Sequence, residues 1–279
     1  MSETYGEARW PLLFEALRAP DIKVARLNPY LEFDFEAQNI SGQKYILETA
    51  QTRDQERFYV LDLASLIPPL ALNPSVDDIC LDMCAAPGGK TLVLASLMAM
   101  SSDSVIDLVA NEMSPDRRSR LIRVLKEQLP DPIFRQIKIT KHDASKWCLY
   151  QKEHFDKILL DAPCSGERYF MNNEAEILSW TRKRSQNMSA RQFALLASAF
   201  ECLKVGGQIV YSTCSISQFE NDDVIRKLLK KRNGRVEVLK FDSPLGEATE
   251  FGWQILPDVT SGFGPIYFSL VQRAAVKNI

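Results

Sequence analysis

Histidine is scarce in this sequence, with two among 279 residues, and no two cysteines stand in C-x-x-C spacing. Those shortages leave a structural or catalytic zinc site without ligands, so no metal is expected. An excess of positive charge is also missing. The 34 Lys and Arg against 36 Asp and Glu leave a net charge of −2, which excludes a protein that coats nucleic acid generally. Any contact with a polyanion must use local patches. Candidates are Arg117, Arg118, Arg120 and Arg123; Arg182, Lys183 and Arg184; and Lys227, Lys230, Lys231 and Arg232. Each alone reads first as a solvated helix face. No apolar run reaches the length of a membrane span, the longest being residues 91–100, so no membrane partner is expected. The N-terminal MSETYGEARW has neither an apolar signal core nor an Arg-rich transit character, which predicts a cytoplasmic protein. Internal repeats, low-complexity tracts and Gly/Ser linkers are lacking too.

What is present is enough chain for one large α/β domain with a small appendage. The six cysteines, Cys80, Cys84, Cys148, Cys164, Cys202 and Cys214, are expected to matter as thiols, because nothing marks the chain as secreted. Residues 1–75 show no regular strand–helix alternation. They predict an amphipathic helix at 10–17 and an apolar helix at 61–70 ended by Pro68 and Pro69. From residue 76 the rhythm changes. Strands are predicted at 78–83, 105–110, 137–140, 157–160, 208–212 and 236–241, with late ones at 254–256 and 266–271. Helices fall between them at 90–100, 115–129, 189–203 and 220–232. Ser114-Pro115 opens the second of these, and the capping box from Ser189 to Gln192 opens the third. The alternation predicts a doubly wound, mainly parallel α/β sheet with an antiparallel C-terminal hairpin. The expected division is an N-terminal extension over 1–75 and a catalytic domain over 76–279.

In such sheets ligands bind beyond the carboxyl ends of the strands. The first strand runs into LDMCAAPGGKT, whose Gly88-Gly89 turn opens a helix and brings free N–H groups close to a ligand. A phosphate-binding loop, G-x-x-x-x-G-K-[ST], needs glycine where this chain has Cys84, and the G-x-G-x-x-G dinucleotide spacing is absent. Glu112 stands past the second strand, where an acid can accept ribose hydroxyls, and Asp143 holds the equivalent place after the third. A loop and two acids without a phosphate binder describe an adenosine pocket, which S-adenosylmethionine fits. The fourth strand ends in DAPCSG and the fifth in YSTCS. Asp161, Cys164 and Cys214 therefore converge on the cofactor face if these strands are neighbours.

The strings LDMCAAPGGKT, NEMSPDR, DAPCSG and YSTCS, in this order, resemble the RNA 5-methylcytosine methyltransferases of the NOL1/NOP2/Sun family, from about Tyr59 onward. YGEARWPLLFEAL and FGPIYFSLVQR look most like the short branch with the mitochondrial rRNA and tRNA enzymes and their bacterial relatives. The resemblance implies a class I S-adenosylmethionine methyltransferase fold and transfer of a methyl group to C5 of cytosine in RNA. Ribosomal RNA is the favoured substrate and tRNA the second, with a mitochondrial location conceivable for a eukaryotic source. It implies cofactor contacts from Cys84, Ala85, Ala86, Pro87, Gly88, Gly89, Lys90, Glu112, Arg117, Asp143 and Asp161. It also makes Cys214 the nucleophile and Cys164 the thiol that assists product release, with Asp161 bonding the N3 and N4 edge of the base. Family members often have glycine after the acid that follows DAPCSG, where this chain reads Glu167-Arg168, which predicts an altered RNA-facing loop. With no room for a separate RNA-binding domain of the PUA type, target choice falls to residues 1–75, the basic patches or a protein partner. The catalytic unit is expected to be monomeric. Two rival readings remain: a non-catalytic RNA-binding or ribosome-assembly protein keeping the fold, and a methyltransferase of DNA or protein.

Overall fold

The computed structural model describes residues 2–48, 50–99, 104–172 and 181–275. Its centre is a nine-stranded sheet in the order β11-β12-β13-β9-β8-β5-β6-β7, with β10 also on β13. The strands β5 (Ile79–Asp82), β6 (Asp107–Asn111), β7 (Lys138–Thr140), β8 (Phe155–Asp161) and β9 (Leu203–Thr213) are mutually parallel. Ile, Leu and Val dominate their middles because both faces are covered, as a parallel sheet requires. The covering helices are α3 (Gly89–Met98), α4 (Pro115–Gln128), α6 (Arg182–Cys202) and α7 (Asp222–Lys231). The last strands run antiparallel. β13 (Ile266–Arg273) pairs with β9 on one side, and β10 (Val236–Leu239) and β12 (Trp253–Ile255) share its other edge. β11 (Glu247–Ala248) closes that border. The predicted α/β class with its antiparallel C-terminal hairpin is what the chain adopts.

Residues 1–75 hold more order than their sequence suggests. After helix α1 (Trp10–Arg18) comes an antiparallel sheet, β2-β3-β1-β4, of β1 (Val24–Leu27), β2 (Gln38–Ile40), β3 (Gln43–Leu47) and β4 (Phe58–Leu61). Arg26 of β1 is buried against the larger body. Its Nε donates to Gln43 Oε1 at 2.7 Å and its Nη2 to Ser96 Oγ on α3 at 2.9 Å, and burial pulls its pKa down to about 10. One apolar cluster runs from Val24, Ile40 and Leu61 through Leu94 and Leu108 to Phe268.

Three local expectations need correction. The helix predicted at 61–70 is the end of β4, a 3-10 turn at Leu63–Leu66 capped by Asp62, and then α2 (Ile67–Leu72). Pro68 and Pro69 stand in the first turn of α2, where a missing N–H costs nothing, so they open a helix rather than end one. The helix predicted from Ser189 begins at Arg182, with the Thr181 hydroxyl accepting from the Arg184 N–H. Ser189 lies inside it, and Gln192 bonds elsewhere. Finally, the strand predicted at 208–212 is β9 and begins at Leu203, taking in Lys204-Val-Gly-Gly, where Gly206 has a φ of 86°. Among the described residues, no helix is long and apolar enough to cross a membrane.

Candidate active site

The carboxyl ends of β5, β6, β7, β8 and β9 face one side, and Asn111 at the end of β6 fastens three of them. Its Nδ2 donates to the carbonyls of Met83 and His142, both at 3.1 Å, and its Oδ1 accepts from Thr140 Oγ1 and the His142 N–H. The loop after β5 turns into α3 at Gly88, with φ 121°, a region side chains rarely enter. Gly89 has no room for a Cβ either, which would stand 2.6 Å from the Tyr59 ring.

Two cavities meet at Cys84. The first, about 310 Å³, is lined by Cys84, Glu112, Met113, Arg117, Asp143 and Pro163 among others. Glu112 is nearly buried; one oxygen accepts the Ser114 N–H at 2.8 Å and the other lies 3.5 Å from Arg117. Arg117 also holds the Ala86 carbonyl at 2.8 Å, and the Ala85 N–H reaches the Asn111 carbonyl. Asp143 caps the turn Ala144–Leu149; hydrogen bonds from Ser145, with Lys146 nearby, hold its carboxyl below the usual range. The second cavity, about 250 Å³, is lined by Tyr59, Asp82, Ala86, Pro87, Lys90 and Asp161 among others. Cys84, Ala85, Ala86, Pro87, Gly89, Lys90, Glu112, Arg117, Asp143 and Asp161 thus all border one cavity or the other, around the Gly88 turn.

Asp82 is a residue the motif contains and sequence reasoning leaves without a role. It is buried, with Oδ2 accepting from Thr91 Oγ1 at 2.7 Å, while Oδ1 has no partner among the described residues. Burial, reinforced by neighbouring Asp161, pushes its pKa up to about 7. A buried oxygen without a partner on a cavity wall is suited to a cationic or N–H donor of a ligand. Tyr59 and Asp62 reach the same cavity from the N-terminal lobe. Only the sheet topology could have found them.

Register places the candidate reacting groups. β8 and β9 pair Asp161 with Ser212, so Cys164 and Cys214 follow on adjoining chain ends, their Cα atoms 6.3 Å apart. The structure joins the two sulfurs as a disulfide, a pairing the sequence does not predict, and Cys214 is exposed. Cys80, Cys84 and Cys202 sit in surroundings where burial pushes their thiols up, which keeps them inert. Asp161 is held from both sides: Lys90 Nζ donates to Oδ2 at 2.7 Å and Ser212 Oγ to Oδ1 at 2.8 Å.

Glu167-Arg168, expected to alter the RNA-facing loop, is turned inward. Both side chains are buried at the start of the short helix α5 (Glu167–Met171). Arg168 donates to the carbonyls of Gly262, at 3.0 Å, and Gly264, and its Nε lies 2.8 Å from Asp21. The next residue, Tyr169, is exposed.

The basic patches divide. Arg184 lies over the Phe170 ring, 4.1 Å from its centroid, beside the cysteine loops, with Lys183 exposed next to it; the side chain of Arg182 lies outside the described residues. Arg118 bonds the Glu112 carbonyl, and Arg120 and Arg123 are exposed along α4. The α7 patch ends at Arg232, bonded to Glu201 just ahead of β9, at the opposite border of the sheet from Cys214.

Residues 69–270 match the family described as 16S rRNA methyltransferase RsmB/F. A 5-cytosine rRNA methyltransferase NSUN4 from Bos taurus is 34% identical over 233 residues, 77% of this chain and 59% of that protein. A mitochondrial tRNA (cytosine(34)-C(5))-methyltransferase from Mus musculus is 30% identical, covering 81% of this chain and 66% of that one. The chain thus spans less than two thirds of the length of these relatives. A solved methyltransferase homolog from Pyrococcus horikoshii superposes with a TM-score of 0.77 at 25% identity, covering 98% of this chain and 94% of that one. With the family match reaching across β5 to β9 and both cysteine loops, this chain belongs to the RsmB/F family of 16S rRNA methyltransferases.

Proposed function

We propose that this protein transfers a methyl group from S-adenosylmethionine to C5 of a cytosine in RNA, through a covalent bond between Cys214 and C6 of the base. The observation that carries this reading is the exposed Cys214 on the chain end adjoining Cys164, the two sulfurs paired beside a carboxylate held by Lys90 and Ser212. The names of the relatives, which act on rRNA or on tRNA, favour RNA as substrate and ribosomal RNA first.

The cofactor residues fit their task on physical grounds. Glu112 and Asp143 offer acceptors to hydroxyl and amino groups, and the unpartnered Oδ1 of Asp82 suits an ammonium. When bound, S-adenosylmethionine supplies an electrophilic methyl group on a sulfonium. C5 of cytosine is a poor nucleophile, so the protein must activate it. In the dithiol state the Cys214 thiolate adds to C6, which breaks the aromatic system and makes C5 enamine-like. Asp161, oriented by Lys90 and Ser212, bonds the N3 and N4 edge and supports protonation at N3 as charge enters the ring. After C5 is methylated and loses its proton, the bond from Cys214 to C6 breaks, assisted by Cys164. The base must be unstacked to reach the thiols. Residues 1–75 form the RNA-facing lobe in this reading, with the catalytic domain from residue 76 onward.

The test separates the two thiols. Cys164→Ala should accumulate a covalent protein–RNA adduct, seen as a slow, RNase-sensitive band on a denaturing gel. Cys214→Ala and the double variant should show none. An adduct confined to Cys214→Ala reverses the roles, and full activity in both single variants ends the covalent mechanism.

A further inference from the structure

Ser165 and Ser215 each directly follow one of the paired cysteines, and a single buried side chain answers to both. Glu167, 1% exposed, accepts on Oε1 from the Ser165 hydroxyl and, at 3.0 Å, from the Ser215 hydroxyl; its Oε2 accepts the Ile216 N–H at 3.2 Å. The two hydroxyls stand 3.4 Å apart. One carboxylate therefore ties the loop after β8, the loop after β9 and the start of α5 together. A second buried acid braces the same loop from behind. Glu220 Oε2 accepts the Ser165 N–H at 2.9 Å and Gln192 Nε2 at 2.8 Å, and Gln192 also bonds the Pro163 carbonyl. All of these donors are neutral. A carboxylate buried without a cation is costly unless hydrogen bonds replace its water, and here those bonds go to the residues beside the two sulfurs. Nothing in the motif DAPCSG or YSTCS contains Glu167; it reaches both from the first turn of α5.

We propose that Glu167 is the positioning residue that sets the separation of Cys164 and Cys214, holding their loops so that both sulfurs address the same pyrimidine. This rests on the paired-cysteine reading above, but its decisive measurement does not use methylation. In the full chain, oxidised glutathione converts the two thiols to a disulfide and releases two molecules of reduced glutathione. The equilibrium constant of that exchange is the effective concentration of one thiol at the other, which positioning controls. The redox state of Cys164 and Cys214 is read by mass spectrometry after alkylation. Glu167→Gln keeps the shape but presents a donor where an acceptor is needed, and Glu167→Ala removes the clamp. The constant should fall about tenfold in Glu167→Ala and by a smaller factor in Glu167→Gln, on the scale of losing hydrogen bonds to a charged group. Gln128→Leu is the control. Gln128 is equally buried and bonds the carbonyls of Gln55 and Phe58 far from the cysteines, so the variant should melt earlier with the constant unchanged.

Methyl-transfer kcat should fall in parallel with the constant, with KM for RNA preserved. An unchanged constant in Glu167→Gln and Glu167→Ala overturns the proposal, as does an equal fall in Gln128→Leu or a fallen constant with kcat intact. If Glu167→Ala does not fold, Glu167→Gln alone decides. A Cys164→Ala protein without the covalent adduct counts against the covalent mechanism only and leaves the thiol constant to judge Glu167.

Discussion

A carboxylate kept out of water makes protonation part of the stability of the fold. Asp82, buried with its pKa raised to about 7, has a folded value above its unfolded one near 3.9. The folded state then holds the proton that the unfolded state releases. Its contribution is complete below about pH 4 and is lost as the pH rises through about 7. Over that interval the loss is at most about 4 kcal/mol. In Asp82→Asn, which cannot ionise, this component should vanish. Urea unfolding of the ligand-free protein at pH 5 and pH 8 should show wild type losing more stability than Asp82→Asn; equal losses would remove Asp82 as the source. The acids differ in how legible they are. Glu112 and Asp143 announce themselves by standing one strand end after another, and both line the first cavity. Asp82 is written in the same string as the glycine turn. What sets it apart is desolvation at the middle of a sheet covered on both faces, which no spacing encodes.

At the scale of helices and strands, the two basic runs at the start of α6 and the end of α7 are alike in sequence and opposite in place. Arg184 lies over Phe170 in the helix that follows the Cys164 loop, with Lys183 next to it, whereas Lys230 and Lys231 precede Arg232, which bonds Glu201 ahead of the amino end of β9. The pair Lys183→Gln and Arg184→Gln should weaken RNA binding and flatten its dependence on salt, by up to about 2 in the log–log slope. Lys230→Gln with Lys231→Gln should do neither, and filter binding across a salt series compares them directly. A greater loss from the second pair would place the RNA on the opposite face. The strand–helix alternation of the large sheet was legible because Ile/Val/Leu runs alternate with amphipathic helices. The N-terminal strands were not: β2 is three residues long, and β1 spends a fully buried position on Arg26. The start of α6 was misplaced for a related reason. Its first two turns are polar and carry no apolar stripe to mark them, so a local capping pattern at Ser189 looked like the beginning.

Across the whole molecule, the lobe formed by the first 75 residues shares its apolar cluster with the large sheet, and Arg26 is lodged between them with neutral partners. Neither side can open without uncovering the other. Heating should therefore give one calorimetric peak, with the calorimetric and van't Hoff enthalpies in agreement. Two resolved peaks would mean that the lobe melts by itself. The same sheet, followed to its borders, shows how its outline is finished. Among the described residues β11 has two residues, β7 three and β10, which pairs β13 alone, four, so short strands stand at the margins, and the long β13 and β9 are enclosed within. A margin that short leaves few backbone N–H and C=O groups on which a neighbouring molecule could add a strand of its own. Folded copies thus meet one another across little exposed template at this sheet's described margins, and the long β9 and β13 keep their hydrogen-bonding capacity inside each chain.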